Sequence, residues 1–296
     1  MKLVLTLIAA PNSNALTKNV IDQAAIALTG AGALVGDVTW LADGEACDLI
    51  FDGIPLDVAD TSLAEAELGV DAVTQKIATR RKKLLIADMD STMVTGETLD
   101  ELAEFAGVKE RVAAITARAM NGELDFEAAL DERVGLLEGM STDMLQEAWK
   151  TVEYTGGAKT LVATMKANGA FAALVSGGFD FFTGAVRAEL GFDYDQANVL
   201  IESDGKLTGK VKKPVLDRQA KVDALETLSA QQGITVDDAI AVGDGANDLQ
   251  MISLAGTGVA FHAKPSVQEQ ARICINHGDL TALLYLQGYS KSDFVS

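Results

Sequence analysis

Two cysteines and two histidines are all that the 296 residues contain, and these shortages narrow the options. Cys47 and Cys274 lie far apart in sequence, which predicts reduced thiols rather than a disulfide framework. His262 and His277 do not make a metal site; one falls after the apolar Val259-Ala260-Phe261, the other in a polar turn. Basic residues are also scarce, with 24 Lys and Arg against 43 Asp and Glu and a net charge of −19. That balance argues against nucleic acid or an anionic membrane as partner. Long hydrophobic runs are missing too. The apolar opening from Lys2 to Ala9 is too short to span a bilayer and is stopped by Pro11-Asn12-Ser13-Asn14, so neither a span nor a signal peptide is expected. The chain reads as a soluble cytoplasmic enzyme, long enough for two domains and free of low-complexity segments and short repeats.

What is present is concentrated at the ends of apolar runs. Leu84-Leu85-Ile86-Ala87 leads into Asp88-Met89-Asp90-Ser91-Thr92. The period of an extended strand puts Asp88 and Asp90 on one side of the backbone, where like charges need a cation, a shared proton or an exit into water. A hard divalent cation such as Mg²⁺ suits carboxylate oxygens, and a carboxylate beside it can attack a phosphoryl group. The run Ala239-Ile240-Ala241-Val242 repeats the design, delivering Asp244, Asn247 and Asp248 among permissive glycines. Between them, Ala170 to Val175 closes on Ser176-Gly177-Gly178, a hydroxyl and backbone donors suited to an anion. Lys221 opens an amphipathic stretch and offers a compact positive charge.

These four motifs, in this order from about Lys83 to about Gln287, resemble those of the haloacid dehalogenase-like phosphatases. The resemblance implies that Asp88 is the nucleophile and Asp90 the general acid and base. It implies Mg²⁺ held by Asp88, the backbone carbonyl of Asp90 and Asp244, with Asp248 behind them. Ser176, Gly177, Lys221 and Asn247 then fall at phosphate-contacting positions. Residues Thr98–Phe105, Val108–Met120, Asp125–Leu137 and Thr142–Lys150 show helical spacing and predict a small cap. Within it, Arg133 and its surroundings resemble the branch of the family that acts on O-phospho-L-serine, in which the Arg binds the substrate carboxylate. By the same resemblance Glu97 meets the substrate ammonium, and Met120 and Phe126 help cover the site. Read without the resemblance, Arg133 makes a surface ion pair with Glu132 or nearby acids on a helix, and Glu97 is an acid favourable at a helix start. An anionic substrate on an acidic protein requires a local positive pocket, from Mg²⁺, Lys221, Arg133 and the lysines at 210, 212 and 213.

The predicted architecture is a doubly wound, Rossmann-like parallel sheet with a helical cap at about residues 95–165 and a β-hairpin at about 198–211, all within residues 81–296. Before it, residues 1–80 read as strand, helix, strand, strand, helix, strand, a ferredoxin-like order similar to ACT modules. That module is expected to serve regulation or homodimer formation, or only to shield the catalytic half. The function implied is Mg²⁺-dependent hydrolysis of O-phospho-L-serine to L-serine and phosphate through an aspartyl-phosphate, the last step of serine biosynthesis. Alternatives are phosphoryl transfer to homoserine, another small-molecule phosphatase of the family, and an amino-acid-sensing regulator with a vestigial catalytic half.

Overall fold

The computed structural model describes residues 2–120 and 123–295. Strand β1 (Leu3–Ile8), helix α1 (Lys18–Gly30), strands β2 (Leu34–Ala42) and β3 (Ala46–Asp52), helix α2 (Leu56–Ala64) and strand β4 (Asp71–Lys76) make the first unit. Its antiparallel sheet has the order β2-β3-β1-β4, the ferredoxin-like arrangement expected from the apolar spacing. Both faces of β1 are buried. Leu3, Leu5 and Leu7 face the core that includes Ala24 and Leu28 of α1, whereas Ile8 joins the core of the second unit.

The second unit starts at β5 (Leu84–Ala87) and sends the chain out through four helices, α3 (Thr98–Phe105), α4 (Lys109–Met120), α5 (Phe126–Gly135) and α6 (Asp143–Trp149). It returns through α7 (Ala158–Ala167), β6 (Phe171–Phe179), α8 (Asp180–Leu190) and β7 (Tyr194–Asn198). A hairpin of β8 (Leu200–Ser203) and β9 (Lys206–Val211) follows, then α9 (Arg218–Gln231), β10 (Ala239–Gly243), α10 (Leu249–Leu254) and β11 (Thr257–Phe261). The chain closes with α11 (Pro265–Gln268), β12 (Ile273–Ile275) and α12 (Ala282–Leu286). Six strands pair in parallel in the order β12-β11-β10-β5-β6-β7, with the first strand of the unit, β5, in the middle.

Alternation along the strands sorts the core into two layers. Leu85 and Ala87 pack with Leu161, Met165 and Phe182 of α7 and α8, while Leu84 and Ile86 pack with Leu225, Leu228 and Met251 of α9 and α10. A sheet covered on both faces needs continuous apolar strands, which is why β5 is buried throughout. Order reverses at β5, with β6 on one side and β10 on the other, and such a switch point opens a crevice past the carboxyl ends. In the hairpin, Asp204 and Gly205 both have positive φ, the geometry of the tight turn read from that dipeptide. The two units are joined by buried polar contacts: the Asp71 carboxylate accepts the amides of Asn276 (2.7 Å) and Gly278 (2.8 Å), and Tyr285 Oη donates to Glu45 Oε1 (2.8 Å).

Candidate active site

Three adjacent strands end together, and each contributes part of one cluster. Residues 84, 86 and 88 share a side of β5, so Asp88 faces the layer that holds α9. On α9, Lys221 precedes Ala224, Leu225 and Leu228 at helical spacing and shares their buried face. Its ammonium therefore reaches the strand end, 2.6 Å from Asp88 Oδ1 and 2.5 Å from Asp248 Oδ1. Asp248 is fully buried, and its other oxygen accepts the Gly245 amide at 3.0 Å. A Cβ at Gly243 would overlap Asp248, so only glycine lets β10 end against this carboxylate.

Oxygens of Asp88, Asp244 and Asp248 lie within 4.8 Å of one another, with one ammonium to offset three negative charges. Burial and the Asp248 carboxylate push Asp88 above the usual carboxylate range, and Lys221 pulls it partly back. Asp244 is pushed up to about 6 by burial and by Asp248. Burial alone would lower Lys221, but Asp88 and Asp248 override it and hold the ammonium above the ordinary lysine value. Asp88 Oδ1, though close to Lys221, accepts no well-aligned hydrogen bond among the described residues. All-oxygen donors, excess negative charge and an unsatisfied buried oxygen fit a hard divalent cation.

Asp90 is held from two sides. Its Oδ1 accepts the Thr98 amide at the start of α3 (2.8 Å), and its Oδ2 accepts from Ser176 Oγ (3.3 Å). Burial, then Glu97, push its carboxyl up to about 6, which favours the protonated form that a general acid needs. Strand β6 continues through Ser176-Gly177-Gly178 to Phe179, where the sequence suggested that the strand closes at Ser176. Ser176 Oγ in turn accepts the Gly178 amide at 2.9 Å. A Cβ on Gly178 would stand 2.8 Å from Asp90 Oδ2 and 3.1 Å from Ser176 Oγ. Gly178→Ala is therefore expected to lower kcat about 100-fold through misplacement of Asp90, with the melting temperature near that of the parent; kinetics and a melt on the same preparation check both.

The four helices α3–α6 close over this floor. Two linkers carry them, joined by the amide of Thr95 donating to Glu153 O (2.9 Å) and that of Thr155 to Met93 O (3.1 Å). From α5, the Phe126 ring approaches Gly177, where a Cβ would meet it at 3.4 Å. Arg133, half-buried on the same helix, donates its Nε to Ala129 O at 3.1 Å and makes no ion pair among the described residues. Burial lowers its pKa, opposed by Asp100 and Glu97. The expected pairing with Glu132 does not form, because Glu132 binds Arg118 at 2.8 Å. Glu97 is exposed and accepts from Ser91 Oγ at 2.9 Å.

Other sequence readings fare differently. Lys213 does not serve the positive pocket: it ties the loop after the hairpin to α5, 2.7 Å from Glu127 and 2.8 Å from Asp131. Lys210 and Lys212 are exposed. Asn247 Oδ1 lies close over Gly245, where an added Cβ would overlap it, and the Met120 side chain lies outside the described residues. Asn198 was not legible as part of the site. Buried at the end of β7, it donates to Gly177 O (2.9 Å) and accepts the Leu216 amide (2.8 Å), bracing the Gly177 backbone. No local pattern marks it, since its partners stand 21 and 18 residues away.

Residues 85–253 match the haloacid dehalogenase-like hydrolase family. The phosphoserine phosphatase of Streptomyces coelicolor is 38% identical over 284 residues, covering 94% of this chain and 69% of that protein. That of Methanocaldococcus jannaschii is 45% identical over 205 residues, covering 69% of this chain and 97% of its own length. A hydrolase of the same family, t0658 from Salmonella enterica serovar Typhi, has a solved structure with TM-score 0.84 and 29% identity, covering 97% of this chain and 98% of its own. With the parallel sheet and its strand-end carboxylates, these likenesses show that the chain belongs to the haloacid dehalogenase-like hydrolases. Both sequence relatives named here carry the narrower name of phosphoserine phosphatase.

Proposed function

We infer that this chain hydrolyses O-phospho-L-serine to L-serine and phosphate, with Asp88 as the nucleophile that carries the phosphoryl group between two half-reactions. The observation that carries the reading is the seam between floor and cap. There the Phe126 ring sits over Gly177, so the anion-binding end of β6 and the α5 helix of Arg133 border one space. Ser176, the Gly177 backbone and Lys221 would hold phosphate oxygens in line with Asp88. Arg133 keeps terminal guanidinium nitrogens for the substrate carboxylate, and Glu97 offers its carboxylate to the ammonium. Asp90 would give a proton to the departing serine oxygen and then take one from the attacking water. Mg²⁺ would be held by Asp88, Asp244 and the Asp90 carbonyl, with Asp248 positioning its surroundings. Bound there, it supplies Lewis-acid charge neutralisation for the phosphoryl oxygens.

The ferredoxin-like unit is proposed as an ACT-like module over residues 1–80, with the phosphatase over 81–296 and its cap at about 95–165. A role in homodimer formation is supported by β2, an edge strand whose Leu34, Val38 and Trp40 are exposed. Free thiols at Cys47 and Cys274 are in keeping with a cytoplasmic location. No described helix is long and apolar enough to cross a membrane.

Substrate choice is tested at Arg133. Loss of a charge-assisted pair should cost Arg133→Ala about 10–100-fold in kcat/KM for O-phosphoserine. Phosphoethanolamine has no carboxylate and should lose less than about threefold. Equal losses on both substrates would make Arg133 a packing residue and remove the amino-acid reading of the cap.

A further inference from the structure

At the opposite, amino ends of the parallel strands, a cavity of about 360 Å³ opens between the two units. Lys76 and Thr79 line it beside the ferredoxin-like unit, and Lys82, Asp237, Thr257 and Arg272 line it from the hydrolase sheet. Lys82 stands just before β5, Asp237 before β10 and Arg272 before β12, while Thr257 opens β11. The volume lies within the range of about 300–1,000 Å³ common to small-molecule sites.

Its charge is the reverse of the chain's. Three cations face one carboxylate here, on a protein with 43 acidic and 24 basic residues. Lys82 is 4% exposed, and its ammonium donates to the Asp237 carbonyl at 2.6 Å. Among the described residues no carboxylate lies within 4.0 Å of it. Burial pushes this ammonium below the usual lysine value, against the pull of Asp237 and Asp238. Lys76 is exposed and makes no ion pair among the described residues. Arg272 is partly engaged, donating to Thr74 O at 2.6 Å and lying 3.4 Å from Asp60 Oδ2. A nearly buried ammonium without a carboxylate partner is costly unless an anion completes it.

We propose that this cavity binds a small anion of the phosphate class, with Lys76, Lys82 and Arg272 as its charge partners and the Thr79 and Thr257 hydroxyls as further donors. With Asp60 beside Arg272, three cations stand against two carboxylates, which leaves the site net positive and suited to a phosphate anion. The ligand would bridge the ferredoxin-like unit and the segment that leads into β5, so its binding would stabilise their association. The proposal is independent of the catalytic reading, because no residue of the Asp88 cluster lines the cavity.

The test is calorimetric titration of the full chain, stripped of divalent metal, with inorganic phosphate and in parallel with glycerol 2-phosphate. One saturable equivalent per chain is expected, and the tighter of the two ligands tells free phosphate from an ester. Binding should persist in Ser176→Ala, and its dependence on Lys76 and Lys82, which line this cavity and not the Asp88 cluster, places it here. Lys76→Gln, a change on an exposed side chain, should weaken it by about tenfold or more. Lys82→Met should abolish it, while Lys76→Gln hydrolyses O-phosphoserine with Mg²⁺ at the parent rate. Absence of saturable binding, its loss in Ser176→Ala, or unchanged affinity in Lys76→Gln overturns the proposal. Failure of O-phosphoserine hydrolysis in the parent would overturn only the catalytic reading.

Discussion

Replacing Asp88 by asparagine is expected to lower turnover of O-phosphoserine by at least about 10⁴-fold while leaving the chain folded. The amide keeps the shape of the side chain but removes both the attacking anion and a charge from the metal-binding cluster. Stability should move the other way. Without metal, the cluster holds three carboxylates and one ammonium, and Lys221 keeps Asp248 at 2.5 Å after the substitution. If relief of that repulsion is worth about 1 kcal/mol, the melting temperature of the metal-free protein rises by about 2–4 °C. The same substitution should shrink the stabilisation that Mg²⁺ gives the parent. Mass spectrometry of acid-quenched parent enzyme should find a phosphoryl group on Asp88 and none in the variant. Near-parent activity in Asp88→Asn would sink the covalent route, and a large fall in metal-free stability would show that the Lys221 pair outweighs the carboxylate repulsion.

The gain in stability expected from disabling the site reflects a local conflict that is visible in the sequence. An apolar strand such as Leu84–Ala87 ending in Asp88 and Asp90 contradicts ordinary burial rules, and that contradiction pointed to the site. The strand ends at Ser176 and Asp244 were legible for the same reason, as were the four cap helices, whose apolar spacing is regular. Features made by distant partners were not. Asn198 looks like any strand-end amide until β7 is laid beside β6, and Lys213 looks like one more pocket lysine until α5 brings Glu127 and Asp131 to it. Glu132 is next to Arg133 in sequence, and nothing there marks Arg118 as its partner. Adjacent residues on a helix do not face each other, and α4 brings Arg118 to Glu132, which leaves the Arg133 fork without a protein carboxylate among the described residues. The interface between the two units was also silent, because Asp71 meets amides more than 200 residues away.

Asp90→Asn should separate the two half-reactions that Asp88→Asn removes together. The Asp90 oxygens are bound by Thr98 N and Ser176 Oγ, so its place depends on the start of α3 and on strand β6. General acid and base catalysis contributes about 10²–10⁴-fold, and O-phosphoserine, whose alkoxide is a poor leaving group, should lose turnover in that range. An activated aryl phosphate needs no proton to release its alcohol, so transfer to Asp88 stays fast in the variant. Release of the phosphoryl group still requires a base for water and becomes slow. The variant should therefore show a burst of one equivalent of aryl alcohol per active site, followed by a slow steady rate, with phosphorylated protein accumulating in step with the burst. Asparagine lacks the carboxylate's charge as well, so a control is needed for simple electrostatic disturbance of the phosphate site. Ser176→Ala supplies it: that change weakens contact with the phosphoryl group in both half-reactions and should slow the enzyme without producing a burst. A burst in both variants, or in neither, would take the proton-transfer role away from Asp90 and leave it as a support for Ser176 and the start of α3.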